Sequence, residues 1–203
     1  MGKALGLLLA GTAVVLAVLA LRTAPLGHDT VRTHDPVSAT PRMRGSTAPE
    51  RPARPAALPV HLSIPSIAVS TDVERLGLQP DHTVEVPRDP ARAGWFEEGP
   101  PPGGLGASVV LGHVDSVEGP AVFSRLAQLR PGERITVRLS DESTVRFAVR
   151  RVVTYANDDF PARLVYAGDA RRRQLNLVTC GGWYDADLGG WQGNVVVFSE
   201  RVP

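Results

Sequence analysis

The only cysteine of the chain, Cys180, closes the apolar run Gln174-Leu175-Asn176-Leu177-Val178-Thr179 and is followed by Gly181-Gly182. A free thiol is a poor nucleophile near neutral pH. An imidazolium beside it stabilises the thiolate, and the same histidine can afterwards protonate a leaving amine. Of the five histidines, His28 and His34 lie in a proline-rich tract, His61 opens the patterned region, and His82 stands beside Asp81 in a turn. His113 differs from these: it follows the apolar stretch Ala107 to Leu111 and a glycine, and it precedes Val114-Asp115-Ser116. Two residue types suited to acyl transfer therefore each stand at or just beyond the end of an apolar strand. The same residues admit two other readings. One is a buried structural cysteine with an unrelated loop histidine; the other is a metal site built from His113, Asp115 and Cys180, which lacks an evident fourth ligand.

Composition narrows the classes. With 203 residues, 43% of them apolar, the chain has enough material for one well-buried domain plus tails. Lysine and arginine (22) nearly cancel aspartate and glutamate (21), so charge announces no nucleic-acid partner, and none is expected. One cysteine excludes an internal disulfide and a cysteine-cluster metal site. No phosphate-binding loop, dinucleotide fingerprint or His-Glu-x-x-His stretch is present, and the glycines of Gly99 to Gly106 lack the lysine and strand-to-helix setting that phosphate binding needs. No cofactor and no metal are expected.

The elements that must position the thiol and the imidazole come next. Residues Ala4 to Leu21 carry no charge and are flanked by Lys3 and Arg22. This length is near the lower limit for a membrane span, so residues 1–22 read as an anchor, with a cleaved signal peptide as the rival. The amino terminus is expected inside, with the downstream domain facing outward. Residues 23–57 recur in proline, arginine, serine and threonine without apolar periodicity and are expected to form an extended linker.

From residue 58 onward the texture is that of strands. Val60 to Ile67 alternates, with Pro65 at an edge or a strand end. Val69 to Leu78 is a weak strand or helical turn, and Thr83 to Val86 a short strand. Pro87 to Gly94 is a loop leading into Trp95-Phe96. Ala107 to Leu111 is a central strand, and Ala121 to Leu129 a short helix. Glu133 to Leu139 has clear period-two patterning. Asp141-Glu142-Ser143 is a hairpin turn, and Thr144 to Tyr155 is a long strand with a bulge near Arg150-Arg151. A short helix is expected within Asn157 to Asp169. The thiol strand and Gly193 to Ser199 finish the set, joined by a loop from Gly181 to Gln192. Seven or eight strands with almost no long helix call for an all-β, antiparallel-rich barrel or a sandwich.

The region from about Leu58 to Val202 resembles a sortase, most of all the actinobacterial class E and class F transpeptidases. The resemblance rests on Val86 to Pro90 (VPRDP), Gly94-Trp95-Phe96, the Pro-Pro-Gly-Gly segment, Val109 to Ser116 (VVLGHVDS), Gly119 to Glu133, Leu177 to Gly182 (LVTCGG) and Gly193 to Ser199 (GNVVVFS). It implies a closed eight-stranded β-barrel with short helices in the connections, spanning residues 58–203 and anchored on the outer face of a Gram-positive cell. It also implies that Cys180 attacks the Thr-Gly bond of an LPxTG-like sorting signal on a secreted protein. The thioacyl intermediate would pass to an amine of the cell-wall precursor or of a pilin. In this likeness Cys180 matches the nucleophile and His113 the general acid. Thr179 matches a position bordering the substrate, and Asp115 and Ser116 line or orient the cleft. At the family's arginine position this chain carries Gln192, a neutral donor where a charged one is usual. Charged hydrogen bonds are about twice as strong as neutral ones. The resemblance therefore also allows a weak or inactive domain that binds sorting peptides or wall components.

Overall fold

The computed structural model describes residues 56–203. The expected anchor at 1–22 and nearly all of the expected linker lie outside the described residues. In chain order the strands are β1 (Pro59–Ile64), β2 (Val69–Leu76), β3 (Ala93–Phe96), β4 (Gly106–Gly112), β5 (Asp115–Ser116), β6 (Gly119–Pro120), β7 (Arg134–Leu139), β8 (Thr144–Ala156), β9 (Arg173–Asp185) and β10 (Gly190–Val202). One five-residue helix, α1 (Ala162–Tyr166), precedes β9. Eight strands close into a barrel in the order β1-β2-β3-β4-β9-β10-β8-β7, while β5 and β6 form a separate small hairpin. Neighbours are antiparallel except for β2 beside β3 and β4 beside β9, which run parallel.

Alternation sorts the side chains onto two faces. Leu62, Ile135, Phe147, Leu175, Leu177 and Val197 come from strands all round the closed sheet and are fully buried together, which places them in the barrel interior. An eight-stranded barrel has an interior just wide enough for side chains to fill. The buried members of a second apolar cluster come from β2, β3, β4, β9 and β10, through Leu76, Phe96, Leu111, Val178 and Val196, with Val84 and Val165 joining from the connections and Val153 and Tyr155 of β8 packing at its margin. This cluster lies on the outer face. Helix α1 is held against it where the Asn176 side-chain amide donates to the Val165 carbonyl at 2.7 Å.

Several local expectations hold. Strand β1 stops at Ile64 because Pro65 opens a 3-10 turn. The bulge in β8 falls at Arg150: Phe198 pairs with Arg151, and Ser199 already pairs with Val149. The Asp141-Glu142-Ser143 turn is present, with Glu142 at φ 65° and the Ser143 hydroxyl donating to the Asp141 carboxylate.

Others are corrected. Thr83 to Val86 makes one isolated bridge, Leu78 to Val84, and no strand. The loop expected to run to Gly94 ends earlier, because Ala93 and Gly94 already belong with Trp95-Phe96 to strand β3, all four residues of which are buried. Ala121 to Leu129 forms only a 3-10 turn at Leu126–Gln128, though Phe123 and Leu126 are fully buried all the same. The strand carrying Cys180 does not end at the double glycine. It continues to Asp185 opposite β10, so the expected loop from Gly181 to Gln192 shrinks to the connection between Asp185 and Gly190.

Candidate active site

Along β9, Leu175, Leu177 and Thr179 share the interior face, whereas Val178 and Cys180 face outward. Cys180 is directly paired with Asn194 on β10. Beyond this pair the ladder slips: Gly193 pairs with Gly181, but Trp191 pairs with Tyr184, so Gly182 and Trp183 stand against Gln192 alone. Bulges of this kind re-aim side chains beside functional sites, and Gly182, at φ 84°, supplies the left-handed backbone. Gly181 has a different reason to be glycine. A Cβ there would sit 2.5 Å from Val195 Cγ2. The double glycine is thus a close-packed bulge inside a strand.

His113 directly follows the last residue of the neighbouring strand, β4. The parallel β4–β9 ladder pairs Leu111 with Val178. Continuing that register by two residues on each side carries the chain to His113 and Cys180. His113 Nε2 lies 2.7 Å from the Pro87 carbonyl oxygen. A carbonyl only accepts, so Nε2 carries a hydrogen and Nδ1 is the nitrogen left for chemistry. His113, Cys180 and Asn194 line one small cavity, walled by Val86, Leu111 and Val178, of about 20 Å³. That is space for about one water-sized group. Burial pushes the Cys180 thiol up to about 11, and the nearby Asp115 carboxylate adds to the shift. The resting thiol is therefore protonated at neutral pH.

The remaining candidates are distributed as follows. Asp115 is exposed at the start of the β5–β6 hairpin and accepts a hydrogen bond from the Trp191 indole at 3.0 Å. Tyr184 packs edge-on against that indole at 5.6 Å. The Ser116 hydroxyl serves the turn of its own hairpin, accepting from the Glu118 amide and donating to the Gly119 carbonyl. Thr179 turns its side chain towards the interior with its partner Val195, and its hydroxyl is buried without a hydrogen-bond partner among the described residues. Only its position in the chain borders the cavity. Gln192 does not line the cavity; its amide donates to the Gly190 carbonyl at 2.8 Å and, more weakly, to that of Leu188. Among the described residues no group of three or more His, Cys, Asp or Glu side chains is placed to hold a metal ion.

Asn194 and the Pro87 carbonyl were not anticipated. The signal for Asn194 was the polar residue opening the apolar run of β10, which antiparallel pairing with the thiol strand sets opposite Cys180. Nothing in the sequence marks a backbone carbonyl such as that of Pro87.

A closed eight-stranded barrel thus brings a thiol and an imidazole to one cavity on its outer face, at the ends of adjoining parallel segments. The family described as Sortase domain matches residues 62–202, and the chain belongs to the sortase family. Solved structures agree on the fold. Sortase A from Corynebacterium diphtheriae superposes with a TM-score of 0.55 at 17% identity, covering 72% of this chain and 61% of that one. Sortase C1 from Streptococcus agalactiae gives 0.55 at 23%, covering 71% and 67%. Sortase C-1 from Actinomyces oris gives 0.53 at 22%, covering 71% and 75%. The match thus spans about three fifths of the Corynebacterium chain. A search of curated proteins finds no match.

Proposed function

We propose that this protein is a membrane-anchored sortase of the class E/F type that cleaves the Thr-Gly bond of an LPxTG-like sorting signal and passes the acyl group to a cell-wall or pilin amine. The observation that carries the reading is the shared cavity of Cys180, His113 and Asn194 on the outer face of the barrel. In the first half-reaction the Cys180 sulfur bonds to the threonine carbonyl carbon while the thiol proton moves to His113 Nδ1. The carbon–nitrogen bond to glycine then breaks, and the same proton leaves on the glycine amine. The second half-reaction runs in reverse, with an incoming amine giving up a proton to His113 and displacing the sulfur. The Pro87 carbonyl holds the imidazole by Nε2 throughout, so the ring shuttles protons through one nitrogen only.

Residues 4–21 anchor the domain and residues 23–57 hold it off the outer surface, in reach of secreted proteins. A second reading, a weak or inactive domain that binds sorting peptides, is favoured by two observations: the thiol raised to about 11 and the tethering of Gln192 away from the cavity. The deciding experiment incubates wild type, Cys180→Ala and His113→Ala with sorting peptides and a diamine acceptor, reading the thioacyl adduct and the products by mass spectrometry. Adduct in wild type and none in Cys180→Ala supports the transferase. Saturable peptide binding with no adduct supports the binding module.

A further inference from the structure

The side chain facing the thiol across the ladder belongs to Asn194. Cys180 and Asn194 are a directly opposed antiparallel pair. Such pairs present their side chains on the same face, with Cβ atoms about 4.5–5.5 Å apart. Asn194 is 4% exposed, so its carboxamide is committed to this face and shielded from bulk water. A relay fixes which end of the amide points where. The Trp191 carbonyl can only accept, and Asn157 Nδ2 donates to it at 3.0 Å. Asn157 Oδ1 is thereby turned towards Asn194, whose Nδ2 donates to it, also at 3.0 Å. One of the two hydrogens on Asn194 Nδ2 is engaged in this bond, and the other remains for a ligand in the cavity. Gln192 is arranged in the opposite sense. The bulge takes it out of register with Cys180, and its amide nitrogen reaches two carbonyls of its own turn.

We propose that Asn194 is the hydrogen-bond donor to the scissile carbonyl oxygen, with Asn157 as the residue that positions it. The assignment rests on the transpeptidase reading above. When the Cys180 sulfur bonds to the carbonyl carbon, the π electrons of the carbonyl move onto oxygen. A pre-oriented N–H in a water-poor site stabilises that charge without reorganising. The donor is neutral, yet it is buried and held by a second amide, so its orientation costs nothing at the moment of reaction.

The test measures single-turnover acylation by a sorting peptide in the full domain for wild type, Asn194→Ala, Asn194→Asp, Asn157→Ala and Gln192→Ala. Cys180 alkylation by iodoacetamide and thermal melting are measured on each. Loss of one oxyanion donor lowers turnover by roughly 10²- to 10³-fold. Asn194→Ala is expected in that range with KM little changed and with alkylation retained, since alkylation builds no oxyanion. Asn194→Asp keeps the shape and sets a carboxylate where negative charge develops, so it is expected to be at least as slow. Asn157→Ala frees the amide to rotate and is expected to lose about tenfold. Wild-type-like acylation by Asn194→Ala or Asn194→Asp overturns the assignment, as does a larger loss in Gln192→Ala than in Asn194→Ala. If wild type itself forms no adduct, the transpeptidase reading falls and this assignment with it. Adduct in wild type with normal acylation in the Asn194 variants removes the assignment alone.

Discussion

Replacing Asp115 by asparagine should make Cys180 more reactive. The thiol is raised to about 11 by burial first and by the Asp115 charge second. At pH 8 about one molecule in 10³ carries a thiolate, against about a quarter for a free cysteine of pKa 8.5. The more basic thiolate is intrinsically the better nucleophile, with a Brønsted slope of about 0.4–0.5, which returns roughly a factor of ten. Iodoacetamide should thus modify Cys180 roughly twentyfold more slowly than a free thiol at pH 8, with the rate still climbing about tenfold per pH unit at pH 9.5. Asparagine at 115 keeps an oxygen to accept from the Trp191 indole and removes only the charge. A charge interaction of about 0.5–1.4 kcal/mol, the order expected for unit charges several ångströms apart in a partly solvated setting, corresponds to about a two- to tenfold change in thiolate population. The sign follows from which form is favoured. A carboxylate repels the thiolate, so its neutralisation lowers the thiol pKa and speeds alkylation at any pH below 11. Because Cys180 is the only cysteine, intact-mass spectrometry across pH 6–9.5 reads the rate without background. A plateau below pH 9 would refute a thiol raised to about 11, and slower alkylation in Asp115→Asn would refute the electrostatic argument.

Other perturbations test separate parts of the structure. His113→Ala should lower peptide cleavage by about 10²-fold or more, the usual range for a general acid–base, with peptide binding retained in calorimetry. Gly193→Ala would set a Cβ 2.5 Å from the Tyr155 carbonyl oxygen; this overpacking against backbone should cost about 1–3 kcal/mol and lower Tm by several degrees in scanning calorimetry. Phe147→Ala, at a fully buried interior position, should cost about 3–5 kcal/mol in urea titration. Trp191→Phe removes the indole donor to Asp115 and should speed amide exchange in the 115–120 hairpin while leaving the β9 core protected.

Period-two patterning was enough to find β7 and β8, because each buries one face and leaves the other wet, and even the bulge at Arg150 showed as a break in that alternation. Pro65 marked the end of β1 through its missing N–H. Where the reading failed, the physics was non-local. Gly181-Gly182 carries the composition of a turn, and only pairing with the long β10 turns it into a bulged strand. Both candidate groups could be picked out individually, since each is a reactive residue type at the end of an apolar run. Their proximity depends on β4 and β9 being parallel neighbours, which no local pattern encodes. The orientation of Asn194 was less legible still, for it depends on Asn157 in a connection on the far side of β10. Gln192 shows the converse: the resemblance set it where an arginine was expected, and the bulge carries its amide onto its own turn.

The parallel pairing of β4 with β9 also bears on how the chain matures. The connection between these two strands contains the β5–β6 hairpin, all of β7 and β8, and α1. A growing or half-folded chain can therefore hold the imidazole at the end of β4 while the thiol strand is still absent, and no local unit contains both groups. Contacts between segments so distant in sequence form late, after the cost of closing a long loop has been met. The thiol and the imidazole thus share a cavity only once the barrel has closed, and the proposed peptide chemistry would be confined to the folded molecule.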